Sequence, residues 1–372
     1  MKKVLILTTS TGQGHNQAAN SLLETFESEG FTCIKHDFLE GNNKFLNDII
    51  VQGYEISASK FPKIYGWAYK LTDHKFIYKF LPLVFKGTDK KLSKLIQDKK
   101  PDIIIGTHPF TVNIISRLKK KGMKIPFISV VTDFKAHYTY VHPSVDAYIT
   151  GSQFTKDSLI KHGIDSSKIF PYGIPIRESF FERNETIPEI KDDEYFNLLL
   201  MSGSMGLKNI SYVLDELLNN KHKLRITVVC GKNKKLKCSL LKKSQHTYID
   251  KKLHILGFSN DIASFMEYSD LIISKPGGLT VSEAIAKNLP LIIPFAIPGQ
   301  EMENTEFLTS NGYAYYINNV KEINNLIDML IDNPKYLIDA KKNLKEFKKI
   351  NALINYQILT NIIKIIYVKQ LC

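Results

Sequence analysis

The chain has 372 residues, 44% of them hydrophobic, enough for about two domains with a core each, which excludes collagenous, disordered and disulfide-scaffold classes. Fifty basic residues against 37 acidic ones give a formal charge of +13, yet only Arg117, Arg177, Arg183 and Arg225 are arginine. Arginine is the residue that reads base edges bidentately, so sequence-specific nucleic-acid binding is not expected. Cys33, Cys230, Cys238 and Cys372 form no Cys-x-x-Cys pair, which fits a reducing cytoplasm better than a zinc or disulfide framework.

Behind the opening Met-Lys-Lys lies only a short apolar run, and no stretch approaches the ~18 apolar residues that span a bilayer, so neither a signal peptide nor a transmembrane helix is expected. Residues 2–9 read as a buried parallel strand because their centre, Val4 to Leu7, is continuously apolar rather than alternating. A helix over 16–29 follows, with Ala18, Leu22, Leu23 and Phe26 on one face, closed by Gly30. Strands are expected at 31–38, 102–106, 126–131 and 147–150, with a helix through Arg117. Residues 176–194, rich in charge and carrying Pro188, read as a linker. The alternation then restarts, with strands at 196–201, 224–231, 254–258, 271–274 and 291–295. This is the rhythm of two doubly wound α/β domains, 1–175 and 195–350, facing a cleft, with a packed helix over 351–372.

Three glycine turns carry the chemistry. The first, Gly12-Gln13-Gly14-His15, lies where a strand hands over to a helix whose free amides attract anions or hydroxyl oxygens. A neutral His15 imidazole there can take a proton from a hydroxyl near pH 7; the competing reading is a helix cap. As a dinucleotide fingerprint the match is partial: the third glycine falls at Gln17, although Asp37 lies where a ribose-binding acid is expected. The second turn, Gly203-Ser204-Met205-Gly206, can offer backbone N–H groups to a diphosphate, or be an ordinary βα turn.

The third is the densest. Lys275, Gly277, Gly278 and Thr280 open a helix to a phosphate, and Glu283 lies one turn on, where a carboxylate can accept two hydrogen bonds from a ribose diol. The following strand delivers Gln300, Glu301 and Asn304 beyond its C-terminal end, the edge at which open α/β sheets bind ligands. Residues 44–100 hold twelve lysines against five acids, and ten aromatics including the only tryptophan, Trp67, a composition able to seat rings at headgroup depth while lysines meet anionic lipid. An ordinary core with a basic exterior is the alternative.

Together, GQGHNQAA, VTDFKAHYTYVHPSVDAYIT, GSMG, KPGGLTVSEA and PGQEMEN resemble the monogalactosyldiacylglycerol synthase and processive diacylglycerol glucosyltransferase family of family 28 glycosyltransferases, over nearly the whole chain. The resemblance implies a GT-B fold and an inverting transfer of glucose or galactose from UDP-glucose or UDP-galactose to the 3-hydroxyl of diacylglycerol. It implies His15 as base; Gly203, Ser204, Gly206, Lys275, Gly277, Gly278, Thr280, Glu283, Gln300, Glu301 and Asn304 on the donor; and Gly14, Trp67, Asp133 and His137 on the acceptor side. Asp133 and His137 could orient His15 or the acceptor, or be structural. With no Asp-x-Asp motif, no metal and no other cofactor are expected, the departing UDP being stabilised by helix N-termini and Lys275. The enzyme would act in the cytoplasm, peripherally on the inner face of the cell membrane. The alternatives are another GT-B enzyme, such as a UDP-sugar epimerase or a transferase to a different acceptor, and a non-catalytic nucleotide or nucleic-acid binder.

Overall fold

The computed structural model describes residues 2–9, 13–39, 62–73, 87–182, 193–201, 209–246, 248–351 and 364. Several expectations fall outside these residues: the turn through Gly12, much of 44–100, most of the linker, the Gly203, Ser204 and Gly206 turn, and nearly all of the final helix. Two compact units emerge, Met1–Arg177 with Ile297–Asn304, and Glu178–Ala296 with Thr305–Ile350.

The first unit is built on β1 (Lys3–Thr8), β2 (Thr32–Asp37), β3 (Ile103–Gly106), β4 (Phe127–Val130), β5 (Ala147–Ile149) and β6 (Ile169–Phe170), all parallel, in the order β2-β1-β3-β4-β5-β6. Its helices are α1 (Gln13–Ser28), α2 (Pro62–Thr72), α3 (Thr88–Lys99), α4 (Pro109–Lys120) and α5 (Gln153–Lys161). The unbroken apolar run of β1 has a direct cause: Leu5 and Leu7 pack with Leu92, Ile96, Val112 and Ile115 of α3 and α4, while Val4 and Ile6 pack with Ala19, Leu22 and Phe26 of α1. Both faces are covered, and each such side chain contributes roughly 1.5–3 kcal/mol on burial. Arg117 clamps Asp89 with two hydrogen bonds, of 2.5 and 2.9 Å, tying α4 to α3.

The second unit repeats the plan with β7 (Phe196–Met201), α6 (Asn209–Leu218), β8 (Leu224–Val229), α7 (Lys234–Lys243), β9 (Lys251–Leu256), α8 (Ile262–Glu267), β10 (Leu271–Ile273), α9 (Gly278–Ala286), β11 (Leu291–Ile293), α10 (Gln300–Ser310), β12 (Ala314–Tyr316), α11 (Ile323–Asp332) and α12 (Lys335–Asn351). Its strand order is β12-β11-β10-β7-β8-β9.

Three differences from the expected elements stand out. The first helix begins at Gln13 rather than residue 16, so Gly14 and His15 lie in its first turn. β9 begins at Lys251, three residues before the expected strand at His254; as an edge strand it can keep its lysine ammonium groups out of the core, Lys251 Nζ donating to the His222 carbonyl oxygen at 2.9 Å and Lys252 Nζ lying over the Tyr195 ring. The short strands β6 and β12 were not expected, since two or three residues carry no readable period. No described helix is long and apolar enough to cross a membrane.

Candidate active site

In the first sheet the chain leaves β1 for β2 on one side and returns to β3 on the other, so the strand order reverses between β1 and β3. A crevice opens at the C-terminal ends of strands at such a point. β1 leads there to His15, β3 to Thr107 and His108, and β4 to Thr132 and Asp133.

These side chains meet. His15 Nδ1 lies 2.8 Å from the Thr107 carbonyl oxygen and 2.9 Å from Thr132 Oγ1, and the Thr107 hydroxyl donates to the His15 carbonyl oxygen at 3.0 Å. Tyr140 places its hydroxyl 3.3 Å from Thr132 Oγ1. The His108 ring packs edge-on against His15 with 4.5 Å between centroids, while its Nδ1 accepts from the Phe110 N–H at 3.2 Å and so caps α4. His15 keeps part of its surface accessible, but the crowded ring is desolvated, which pulls its pKa from 6.5 to about 4 against the opposing backbone hydrogen bond. His108 is pushed well below its ordinary value by burial and by the neighbouring His15.

Asp133 follows directly and turns elsewhere. Its carboxylate is 6% exposed and accepts from the Gln300 side-chain amide, with Asn304 also bonded to it. Burial raises its pKa to about 6, against the lowering effect of the two amides. Asn304 Oδ1 accepts from the Phe134 N–H at 3.0 Å, and Glu301 accepts from the Ile297 N–H at 3.0 Å. Thus Gln300, Glu301 and Asn304 are all hydrogen-bonded within the first unit. Glu303, not singled out in the sequence, receives Lys135 at 2.6 Å and the Tyr69 hydroxyl at 3.0 Å.

His137 is committed as a cap: Nδ1 accepts from the Thr139 N–H at 3.2 Å and Nε2 faces the Tyr69 carbonyl oxygen at 3.2 Å. The hydrogen-bond partners of the His15 ring among the described residues are Thr107 and Thr132, not Asp133 or His137. Sequence reasoning missed both. Thr132 stood inside the quoted VTDF stretch and Thr107 at a strand end, but a carbonyl contact leaves no trace in residue type. Trp67 is 67% exposed on α2, beside Lys70 and the 53% exposed Leu71.

In the second unit the order reverses between β7 and β10. The residues after β7 lie outside the described set; after β10 come Ser274, Lys275 and Gly277. Gly277 opens α9 with no side-chain cap among the described residues, leaving the helix start to its backbone amides, and the buried Ser274 hydroxyl has no hydrogen-bond partner among the described residues. Gly278 is buried, but Lys275, Gly277, Thr280 and Glu283 keep partial access, and Thr280 and Glu283 share a helix side. An amide-lined opening, a hydroxyl and a carboxylate one turn on form a set suited to an anion next to a polyol.

Solved structures share this architecture over almost the whole chain. MurG from Acinetobacter baumannii aligns over 96% of this chain and 100% of its own at 16% identity with TM-score 0.60. The UDP-GlcNAc 2-epimerase of Neisseria meningitidis, bound to UDP-GlcNAc, aligns over 97% and 100% at 15% identity, also with TM-score 0.60. The fold is therefore the two-domain α/β GT-B class, as the sequence led one to expect.

Within that class the sequence comparisons are sharper. Residues 15–176 match the monogalactosyldiacylglycerol (MGDG) synthase family and residues 197–354 the glycosyltransferase family 28 C-terminal domain. A processive diacylglycerol beta-glucosyltransferase of Bacillus licheniformis is 33% identical over 98% of this chain and 95% of its own, and one of Bacillus subtilis 32% identical over 94% and 92%. The chain belongs to this diacylglycerol glycosyltransferase family and is a hexosyltransferase.

Proposed function

We propose that the protein moves a hexose from a UDP-sugar to the 3-hydroxyl of diacylglycerol, with inversion at the anomeric carbon. The observation that carries the reading is the place of His15: in the first turn of α1, at the reversal point of the first sheet, neutral at physiological pH and still accessible. Such an imidazole can accept the acceptor's hydroxyl proton as the glycosidic bond forms. Full-length similarity to relatives named for diacylglycerol glucosylation supports the acceptor.

On the donor side, the α9 opening would take the diphosphate, with Lys275, Thr280 and the buried Ser274 hydroxyl, which has no partner among the described residues, adding donors, and Glu283 would accept the ribose hydroxyls. Helix amides and Lys275 would neutralise the leaving UDP without a metal ion; loss of activity in EDTA with recovery in magnesium would overturn that part. Glutamine and acid side chains of the first turn of α10, Gln300 and Glu301, would complete the sugar contacts. The protein would work on the inner face of the membrane, docked through the exposed Trp67, Lys70 and Leu71 face of α2.

Incubating the protein with diacylglycerol vesicles and UDP-glucose or UDP-galactose in separate reactions, then identifying lipid products by mass and linkage, tests the reading. A β-linked hexosyl-diacylglycerol from one of the two donors is expected. UDP-sugar consumption with no lipid product would point to another acceptor or to epimerisation.

A further inference from the structure

A carbonyl oxygen has no hydrogen to give. Because His15 Nδ1 stands 2.8 Å from the Thr107 carbonyl, that nitrogen carries the ring hydrogen in the neutral imidazole, and the lone pair is at Nε2. Thr132 Oγ1, 2.9 Å away, shares the same hydrogen as a second acceptor, and its own hydrogen turns to the Tyr140 hydroxyl at 3.3 Å. Thr107 grips the residue twice, its carbonyl on the ring and its hydroxyl on the His15 carbonyl.

Thr132 is 3% exposed, in a place where a valine would fill the same space without leaving a hydroxyl to satisfy. The carboxylate next to it, Asp133, is bonded to Gln300 and Asn304 and does not reach the imidazole. Among the described residues the ring is thus held by two neutral oxygens rather than by a carboxylate.

We propose that Thr132 is a positioning residue for the base: with the Thr107 carbonyl it keeps the His15 hydrogen on Nδ1 and aims the Nε2 lone pair at the acceptor hydroxyl. The inference rests on the reading of His15 as the base. In the step itself the acceptor O–H bond breaks and its proton goes to Nε2. The oxygen closes on the anomeric carbon, and the bond from that carbon to the phosphate oxygen breaks, its electron pair leaving with UDP. The imidazolium so formed tightens its Nδ1–H bond to the Thr107 carbonyl, then returns its extra proton to solvent.

The test has two arms on the full-length protein. Nitrogen-15 NMR of labelled protein reads which ring nitrogen of His15 is protonated, independently of turnover; a hydrogen on Nδ1 is expected, and a hydrogen on Nε2 overturns the proposal. In the kinetic arm, Thr132→Val should lower kcat about 10- to 100-fold with KM for both substrates nearly unchanged, and move part of the His15 population to the other tautomer. Thr132→Ser, which keeps the hydroxyl, should restore most of the rate. Full activity in Thr132→Val, or equal losses in both variants with the tautomer unmoved, would show that Thr132 only fills space. Full activity in His15→Ala would remove the base reading itself, while the tautomer measurement would still stand on its own.

Discussion

A base must be neutral before it can take a proton, and burial supplies that condition at His15, the base we propose. Its pKa of about 4 means that the base form is complete from pH 6 upward, so the acid limb of the pH profile of kcat/KM for free enzyme is expected near pH 4. A limb near 6.5 would show an imidazole solvated more freely than this one. His15→Ala should cost about 10²- to 10⁴-fold in kcat, the usual share of general base catalysis. The same burial governs stability. His15 and His142 fall to about 4, and His108, His137 and His254 are also lowered, all with desolvation as the first cause. A group depressed on folding leaves the unfolded chain holding more protons, so stability is lost as pH falls from about 6.5 towards 4. Asp133 opposes this: raised from 3.8 to about 6, it favours the folded state at the acid end and costs up to about 3 kcal/mol once ionised. Melting temperature should therefore fall between pH 6.5 and 4 despite Asp133, and Asp133→Asn should raise it at pH 8; a melting temperature that rises on acidification would contradict the histidine assignment. Of these residues His15 was legible from its glycine turn and Asp133 from its motif. The partners that define His15, a carbonyl 92 positions away and a hydroxyl 117 positions away, could be supplied only by the fold.

Elements pack here through glycines where a side chain would collide. A Cβ on Gly106, at the end of β3, would come within 2.8 Å of the Thr111 Cβ and 3.1 Å of the Phe127 ring, so the last residue of the strand is where α4 sits down on the sheet. Gly106→Ala should cost about 1–3 kcal/mol as α4 is pushed away, and because Thr107 follows directly the loss should appear in kcat as well as in melting temperature. A stable but inactive variant, or one unaffected in both, would break that link. A second close approach joins α2 to the segment before α10: a Cβ on Gly66 would lie 2.5 Å from the Pro298 Cβ, and Gly299, at φ +102°, already has the Tyr69 ring where a Cβ would stand. The sequence showed the long buried strands, because a sheet covered on both faces needs unbroken Val, Ile and Leu. It showed the edge strand β2 but not these contacts, and of the other edge strands only part: the start of β9 was obscured by Lys251 and Lys252, which are harmless only because β9 lies at an edge, and β6 and β12 are too short to show a period.

At the scale of the whole molecule, the charge of +13 was plain from composition, but its use depends on what accompanies it. Lysine alone gives a salt-sensitive attraction of about 1 kcal/mol per residue close to an anionic surface, within a screening length of about 8 Å at physiological ionic strength. Apolar side chains that enter the headgroup layer add a part that salt does not remove. α2 presents such a pair, Trp67 and Leu71, four residues apart on one helix face with Lys70 between them, while Gly66 and Tyr69 on the other face hold the helix to the protein. Trp67 is the only tryptophan in the chain, so its fluorescence reports this face and nothing else. On adding vesicles containing anionic lipid the emission should shift to the blue, and raising the salt should weaken binding without reversing the shift in the protein that stays bound. Trp67→Ser with Leu71→Ser should reduce co-sedimentation with the vesicles at least tenfold, since each side chain forfeits about 1.5–3 kcal/mol of transfer from water. Activity on short-chain diacylglycerol dispersed in detergent should survive the double substitution if the face serves docking, and fall with the vesicle activity if Trp67 instead grips the acceptor. An emission spectrum unmoved by anionic vesicles would remove α2 from the membrane altogether and leave the lysines as an ordinary solvated exterior.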